Sequence, residues 1–419
     1  MDLMLFNEQR AVEWMGRCGL DVMIARSAAN VTYFTGYECW IDPLLKQYME
    51  NPGGSSDPVP LFAAFARQGE SALVLEQFMG VNAVETSCRE LYLYGPAMPE
   101  PTGLPNDRIK RDSEIDRPYL RSTEQHETWL AALTAFLQNH ALTGARIGLE
   151  MEGFPLAERD DLKRALPLAE LLDCTNVIRL IRMVKSAEEQ RRLARAAEIA
   201  EVAGFEAMSR ARVGYRMQEM VQSYRTRVAE LGADFDHFAF SIGGYGMATQ
   251  TEYALTVDDM MFIDFGCIYR NYFSDTGTTL MMRRPGPREM ELFEAIRAAL
   301  EEAADALRPG ARAAEVHARM SAVQQRYALS NFSAEGHGLG VEMRDYPILK
   351  PNNGLHIRDD CVDVESNLPL EKGMVLNLEV STFLPGFGAW HTEQTFLVGD
   401  NGAKVLIAQP RDHPVIVDS

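Results

Sequence analysis

Two acidic residues in the second half of the chain interrupt strongly apolar stretches. Asp264 lies within MMFIDFG, and Asp275 follows eleven residues later within NYFSDTGTTL. A carboxylate among Met, Phe and Ile side chains is costly unless a proton or a cation neutralises it. The short CIYRN segment lets the two stretches pair as a hairpin, where neighbouring carboxylates raise each other's pKa. A bound cation removes this conflict; the alternative is that each Asp forms a turn or caps a helix.

Three further residues continue the pattern downstream. Glu379 is the single acid in the apolar run MVLNLEV, and Glu393 lies in AWHTEQTFLV. His337 is held between glycines in GHGLG, where the backbone is free to approach a neighbour closely. A histidine between glycines is also common in ordinary loops, so His337 gains its meaning from its place in this series.

Together these side chains form a hard, oxygen-rich ligand set. Four carboxylates and one imidazole suit Mn, Co, Fe or a pair of Zn ions better than a structural zinc. Two divalent cations would balance the four negative charges, share a bridging water, lower its pKa and polarise a carbonyl. We therefore expect two divalent metal ions and hydrolysis of an amide-type bond. The expected metal ligands are Asp264, Asp275, His337, Glu379 and Glu393.

The surrounding periodicity predicts an α/β chain whose helices alternate with strands. Helices are expected at 8–19, about 123–140, 157–166, from a Ser186/Glu189 capping box onward, about 217–231, 287–307 and 312–328. Strands are expected at 21–27, 61–66, 71–76 and 146–151, and NVTYFTGY (30–37) is expected to be extended. The proline-rich segment 95–107 is expected to be a loop.

Length and composition limit the number of domains, the classes of partner and the cellular location that we expect. A chain of 419 residues favours two domains, which we place at 1–178 and 179–419. A net charge of −19 argues against nucleic acid and anionic membranes as partners. No segment has the roughly 20 apolar residues that span a bilayer, and no signal peptide is evident. Six scattered cysteines without a CxxC pair favour a cytoplasmic location.

Read in order, these motifs resemble the creatinase, prolidase and methionine aminopeptidase family, and most closely its Xaa-Pro dipeptidase and aminopeptidase P branch. The helix opening RMVKSAEEQRRLARAAEIA and the segment NVTYFTGY also resemble that branch. The resemblance implies a C-terminal pita-bread domain, a smaller N-terminal creatinase-like α/β domain and a homodimer. It implies that a metal-bridging water cleaves an Xaa-Pro or related small amide bond in a small molecule or short peptide. Trp40 or the 41–58 loop could form one side of the active site of the partner subunit. For Trp40, an ordinary core or surface position is an equal alternative.

The sequence departs from this family at three positions. The stretch GMATQTEYALTVDDMMFID lacks the usual upstream histidine, Arg344 stands where a second histidine is usual, and His391 replaces the usual arginine. We expect Glu379, Arg344 and His391 to be catalytic, with Tyr253 as an alternative proton shuttle. Arg344 could instead pair only with Asp345 or Glu342.

The extra segment 348–367, which includes His356, is expected to be a lid, a specificity loop or an exposed loop. Because the histidines differ, two other functions stay open. One is a non-peptidase enzyme on the same fold, either a hydrolase of small N-substituted amides or a lyase. The other is a non-catalytic binding module, which the full ligand set disfavours.

Overall fold

The computed structural model describes residues 4–96, 125–327, 331–407 and 412–417. The chain divides into two compact units: Met1–Ile181 with Ile357–Val364, and Arg182–His356 with Glu365–Ser419. Most of the expected 95–107 loop lies outside the described residues. Within the described parts, no helix is both long enough and apolar enough to cross a bilayer.

The first unit is built on a sheet of seven strands within the described residues, in the order β5-β4-β3-β2-β1-β6-β7. The strands are β1 (Val22–Ala25), β2 (Phe62–Ala66), β3 (Ser71–Glu76), β4 (Glu90–Tyr94), β5 (Gln125–His126), β6 (Arg146–Leu149) and β7 (Glu170–Asp173). The helices are α1 (Glu8–Cys18), α2 (Ala28–Thr35), α3 (Gln47–Glu50), α4 (Trp129–Asn139), α5 (Leu156–Ala165) and α6 (Thr175–Arg182), with a 3₁₀ helix at Gln77–Glu85. Only the β1–β2 and β2–β3 pairings of this path are antiparallel.

The expectation of an extended NVTYFTGY segment is wrong, because most of it forms α2. The Ser27 hydroxyl accepts the Asn30 amide at the start of the helix, and Gly36 ends it with φ 71°. The Asn30 side chain donates to Glu150 Oε1 at 2.6 Å in the interior. Capping and burial therefore override the β preference of the Val, Thr and Tyr residues.

The helix expected at about 123–140 begins later than predicted. Thr128 caps α4 by accepting the Ala131 amide, and the preceding Gln125–His126 is a short strand. Residues 123–124 lie outside the described residues. The remaining predicted helices and strands of this unit agree with the structure to within two residues.

The second unit contains a large sheet of eleven strands within the described residues, whose main path is β14-β13-β17-β18-β12-β10-β8-β9. The strands are β8 (Asp234–Ile242), β9 (Tyr245–Ala248), β10 (Met260–Tyr269), β11 (Tyr272–Phe273), β12 (Thr276–Met281), β13 (Phe332–Gly338), β14 (Asp345–Ile348), β17 (Val375–Leu384), β18 (Gly388–Val398), β19 (Ala403–Val405) and β20 (Val415–Ile416). A separate two-stranded hairpin, most of which belongs to the first unit, comprises β15 (His356–Arg358) and β16 (Asp363–Glu365). The helices are α7 (Ala187–Met208), α8 (Met217–Glu230), α9 (Pro287–Ala304) and α10 (Ala313–Arg326).

Helices cover each half of the main path of this sheet. Helices α7 and α8 pack on β10 and β8, while α9 and α10 pack on β17, β18 and β13. The predicted capping box at the start of α7 is confirmed, since the Ser186 hydroxyl and the Glu189 carboxylate exchange hydrogen bonds with each other's backbone amides. Close packing fixes α7 on the sheet, because a Cβ at Gly204 would lie 2.2 Å from the Phe265 ring.

Candidate metal centre

Strand register places the expected carboxylates in one row across the sheet. Asp264 on β10 lies opposite Gly277 on β12, and Gly277 lies opposite Glu393 on β18. Glu393 in turn lies opposite Glu379 on β17. Directly paired residues face the same side of a sheet, as do residues two apart in one strand. Asp275, two residues before Gly277, therefore joins the same face.

His337 approaches this row from β13. It pairs with Asn377, two residues before Glu379. Its Nδ1 lies 3.0 Å from the Gly338 carbonyl oxygen, which can only accept, so Nδ1 carries the proton. The buried Nε2 lies 3.4 Å from Asp275 Oδ2 and has no hydrogen-bond partner among the described residues. A nitrogen lone pair directed at a carboxylate is repulsive unless a proton or a metal ion lies between the two atoms, and this arrangement is compatible with a metal ion.

The pKa shifts in the cluster indicate that burial and mutual repulsion disfavour the charged forms of most of the acids. Burial, and then the charge of Asp275, raises the pKa of Glu379 to about 7. Burial, and then the charges of Asp275 and Asp264, raises the pKa of Glu393 well above its usual value. Burial also raises the pKa of Asp264. For Asp275, burial is outweighed by contacts with two histidines, so its pKa is lowered.

The structure thus brings together all five residues that the sequence singled out. Asp264, His391 and Glu393 offer ligand atoms within 4.8 Å of one another, and Asp264 and Asp275 do so with His237. Asn377 Nδ2 donates to Glu393 Oε1 and orients that carboxylate. The set is suited to divalent cations, and the assignment of individual ligands stays a prediction.

His237, on β8, is a member of this cluster that the sequence reading did not include. Its Nε2 lies 3.0 Å from Asp264 Oδ1 and 3.4 Å from Asp275 Oδ1. Its Nδ1 lies 2.8 Å from Asp236 Oδ2. Burial lowers its pKa, but hydrogen bonds to the three carboxylates outweigh burial and raise it well above the usual value.

His391 is enclosed beside Glu393. Its Nε2 lies 3.2 Å from Glu393 Oε2, and its ring centroid lies 4.1 Å from that of Phe262, with the two ring planes tilted by 37°. The ring also lies close to Gly277, where a Cβ would be 2.3 Å from the imidazole. The absence of a side chain at Gly277 therefore leaves the space that the ring occupies.

Arg344 contacts the row from the loop between β13 and β14. Its Nη2 donates to Glu379 Oε1 at 3.2 Å, and its Nη1 lies 3.6 Å from Glu335 Oε2. Pairing only with Asp345 or Glu342 is therefore wrong for Arg344. About half of its side chain, 48%, remains exposed, which leaves donors for another acceptor.

A buried ion cluster holds this loop. Arg182 donates to both Asp345 and Glu342, and Lys185 Nζ lies 3.0 Å from Asp345 Oδ2. Burial raises the pKa of Asp345, but the two cations outweigh it and lower the pKa below the usual value. Gly340 leaves room for this carboxylate, since a Cβ there would lie 2.3 Å from Asp345 Oδ2.

Three other candidates have different settings. The Tyr253 hydroxyl donates to Asp259 Oδ1 at 2.8 Å, so its proton is engaged by that carboxylate. Trp40 is 75% exposed, which rules out the core alternative for that residue. His356 is exposed at the start of the β15–β16 hairpin.

Two family models match the chain. Metallopeptidase family M24 matches residues 174–400, and the Creatinase/Prolidase N-terminal domain matches residues 9–184. These matches confirm the expected family resemblance and the two-part fold class of a creatinase-like domain followed by a catalytic domain.

Curated relatives match over part of their length. An Xaa-Pro dipeptidase of Pyrococcus furiosus is 28% identical over 156 residues, covering 37% of this chain and 41% of that protein. An Xaa-Pro dipeptidase of Lactobacillus helveticus is 26% identical over 161 residues, covering 38% and 40%. The chain spans about two fifths of the length of these relatives.

Solved structures match over nearly the whole chain. An X-Pro aminopeptidase from Thermotoga maritima superposes with a TM-score of 0.70 and 17% identity, covering 98% of this chain and 99% of that one. A prolidase from Pyrococcus horikoshii gives a TM-score of 0.69 and 20% identity, covering 96% and 98%. At these identities the likeness concerns the fold alone.

Proposed function

The chain belongs to metallopeptidase family M24, a family of metal-dependent hydrolases, and from that premise we propose that it is a binuclear hydrolase of Xaa-Pro or related small amide bonds. The observation that carries the proposal is the row of four carboxylates beside His337, whose buried Nε2 lies 3.4 Å from Asp275 Oδ2. Asp264, Asp275, His337, Glu379 and Glu393 would hold two divalent cations. When bound, such a pair would supply Lewis acidity and a water of lowered pKa.

The protein's own side chains would bind the substrate and move protons. Arg344 is half-exposed and next to Glu379, so its remaining N–H groups can hold the terminal carboxylate of a short peptide in a two-point contact. His391 Nε2, 3.2 Å from Glu393 Oε2, can hold a proton beside the reacting region. The Asp345 anchor keeps Arg344 near the row.

The departures from the usual family histidines, such as Arg344, also support a second function. Arg344 cannot release a proton at neutral pH, so it cannot replace a histidine in proton transfer. A small anionic amide that is not a peptide would use the arginine only for binding. We therefore keep a hydrolase of small N-substituted amides, or a lyase, as the second candidate.

A hydrolysis screen separates these candidates. Xaa-Pro dipeptides, Xaa-Ala dipeptides and small N-acyl or N-methyl amides would be tested with Mn, Co, Fe and Zn added separately. Each dipeptide would be paired with its C-terminal carboxamide, which removes the charge that Arg344 is proposed to bind. We expect metal-dependent cleavage of Xaa-Pro and at least tenfold loss with the carboxamide; cleavage of non-peptide amides alone would favour the second candidate.

The assembly, metal identity and location are proposed with the function. The oxygen-rich ligand set favours manganese among the four metals, and a homodimer follows from the family resemblance. All six cysteines are free, which supports a reducing cytoplasm. Light scattering after gel filtration would test the dimer, since a mass of 46.9 kDa would correspond to a single chain.

A further inference from the structure

His237 is held in an arrangement typical of metal-binding histidines. An ionised carboxylate can only accept hydrogen bonds, so Nδ1, at 2.8 Å from Asp236 Oδ2, carries the proton. In neutral imidazole this leaves the lone pair on Nε2. Metal-binding histidines usually donate their other ring N–H to a carboxylate or carbonyl, which fixes the tautomer and the ring orientation.

The Nε2 atom of His237 faces two of the expected ligands, and a metal ion bound there would replace the proton that Nε2 shares with them. Nε2 lies 3.0 Å from Asp264 Oδ1 and 3.4 Å from Asp275 Oδ1. One nitrogen and two carboxylate oxygens converge here, and the ligand atoms of the three residues lie within 4.8 Å of one another. The convergence repeats, on the other side of Asp275, the geometry of His337 Nε2 with Asp275 Oδ2.

The backbone beside His237 is shaped to admit its ring. His237 lies opposite Gly266 in the β8–β10 pairing, and the register shifts between Gly266 and Cys267. A Cβ at Gly266 would lie 2.5 Å from His237 Cε1 and 2.9 Å from Nδ1. Such irregularities re-aim side chains next to functional sites. Gly266, which lacks a side chain, therefore leaves room for the His237 imidazole on the neighbouring strand.

We propose that His237 is a ligand of the metal ion held by Asp264 and Asp275, with Asp236 as the residue that positions it. This rests on the proposed metal centre and adds a second imidazole to it. Each of the two metal positions then has one nitrogen donor, His237 at one and His337 at the other. Nitrogen donors favour the later divalent metals relative to an all-oxygen position, so His237 would also narrow the range of metals accepted.

Pulsed electron paramagnetic resonance on the manganese-loaded protein counts bound imidazoles directly. With ¹⁵N-labelled histidine, we expect nitrogen couplings from two imidazoles in the unaltered protein. His237→Gln and His337→Gln should each leave one, and the double variant none. His317→Gln is the control, because His317 lies on α10 and contacts Ser321; both couplings should remain.

Manganese titration calorimetry supplies a second readout. His237→Ala should weaken the affinity of one of the two positions by more than tenfold. Asp236→Asn keeps the imidazole but removes its carboxylate partner, and a loss of roughly 10- to 100-fold is expected for a residue that orients a ligand. Binding of two manganese ions with unchanged affinity at both positions in the two variants would overturn the role of His237.

The two readouts separate failure of this inference from failure of the proposed function. Two bound manganese ions with a single imidazole coupling, unchanged by His237→Gln, would refute the His237 ligand and leave the hydrolase proposal standing. A protein that binds no divalent metal at all would refute both.

Discussion

Gly277→Ala tests whether the site is built as tightly as the register indicates. The new methyl group would lie 2.3 Å from His391 Cδ2 and Nε2, and 2.8 Å from the Ile263 carbonyl oxygen. The His391 ring is fully buried and also packs against Phe262, with 4.1 Å between the ring centroids. The substitution must therefore displace either the imidazole or the strand.

The magnitude follows from the size of the overlap. Contacts of 2.3 Å are more than 1 Å inside ordinary van der Waals distance, and overpacking of this kind typically costs about 1–3 kcal/mol. For a unit of this size that corresponds to a fall of about 2–12 °C in melting temperature. The substitution should also lower activity, because displacement of the imidazole would move His391 Nε2 away from Glu393 Oε2.

A double-mutant cycle tests directly whether the clash with the His391 imidazole causes the loss of stability. Gly277→Ala and His391→Ala would be unfolded in urea singly and together, with Gly402→Ala as control, because a Cβ at Gly402 meets nothing within 4 Å. Removing the imidazole makes room for the methyl group, so we expect a coupling free energy of at least about 1 kcal/mol. Additive effects, or an unchanged melting curve for Gly277→Ala, would refute the packing argument.

Four further outcomes are expected. Chelation should lower the melting temperature, because the clustered acids lose their counter-charge, and added Mn or Co should restore it; an unchanged curve with no metal by elemental analysis would contradict the binuclear site. Glu379→Ala should abolish activity and leave a folded, metal-poor protein, and full activity with undiminished metal would count against that role. Arg344→Lys keeps the charge but loses the two-point contact, so kcat/KM should fall more than tenfold, about 1.4 kcal/mol; unchanged kinetics would remove Arg344 from substrate binding. Burial raises the pKa of Glu189 from 4.5 to about 7, so the fold favours its protonated form and the free energy of unfolding should decrease as pH rises from about 5 to 7.5; Glu189→Gln should flatten that slope in urea titrations, and an equal slope would show that other groups carry it.

The carboxylate row was predictable because each member carries a local signal. An acid inside an apolar strand is costly by itself, so Asp264 and Glu379 are visible without knowledge of their neighbours. The hairpin prediction for Asp264 and Asp275 also needed only the short segment between them. The register across β10, β12, β18 and β17 then brings these signals into one line.

His237 carries no such signal. It follows Asp234 and Asp236 at the polar start of β8, where a histidine suggests an exposed strand end. Only the pairing with Gly266 and its register shift place the imidazole at the cluster, and both are long-range features. The α2 error is of the same kind only in part: the Asn30–Glu150 contact is long-range, whereas the Ser27 cap and Gly36 are local signals of a helix.

In the loop that carries Arg344, two adjacent residues have different roles. Asp345 is buried and held by Arg182 and Lys185, while Arg344 next to it faces Glu379 and solvent. In evolutionary terms, position 344 can change without loosening the loop, since the anchoring charge belongs to its neighbour. Exposed substitutions usually alter stability by less than about 0.5 kcal/mol, whereas breaking a buried ion pair costs about 3–5 kcal/mol. If Arg344 binds the substrate as proposed, substitutions at position 344 can change substrate preference while the anchored loop keeps its structure.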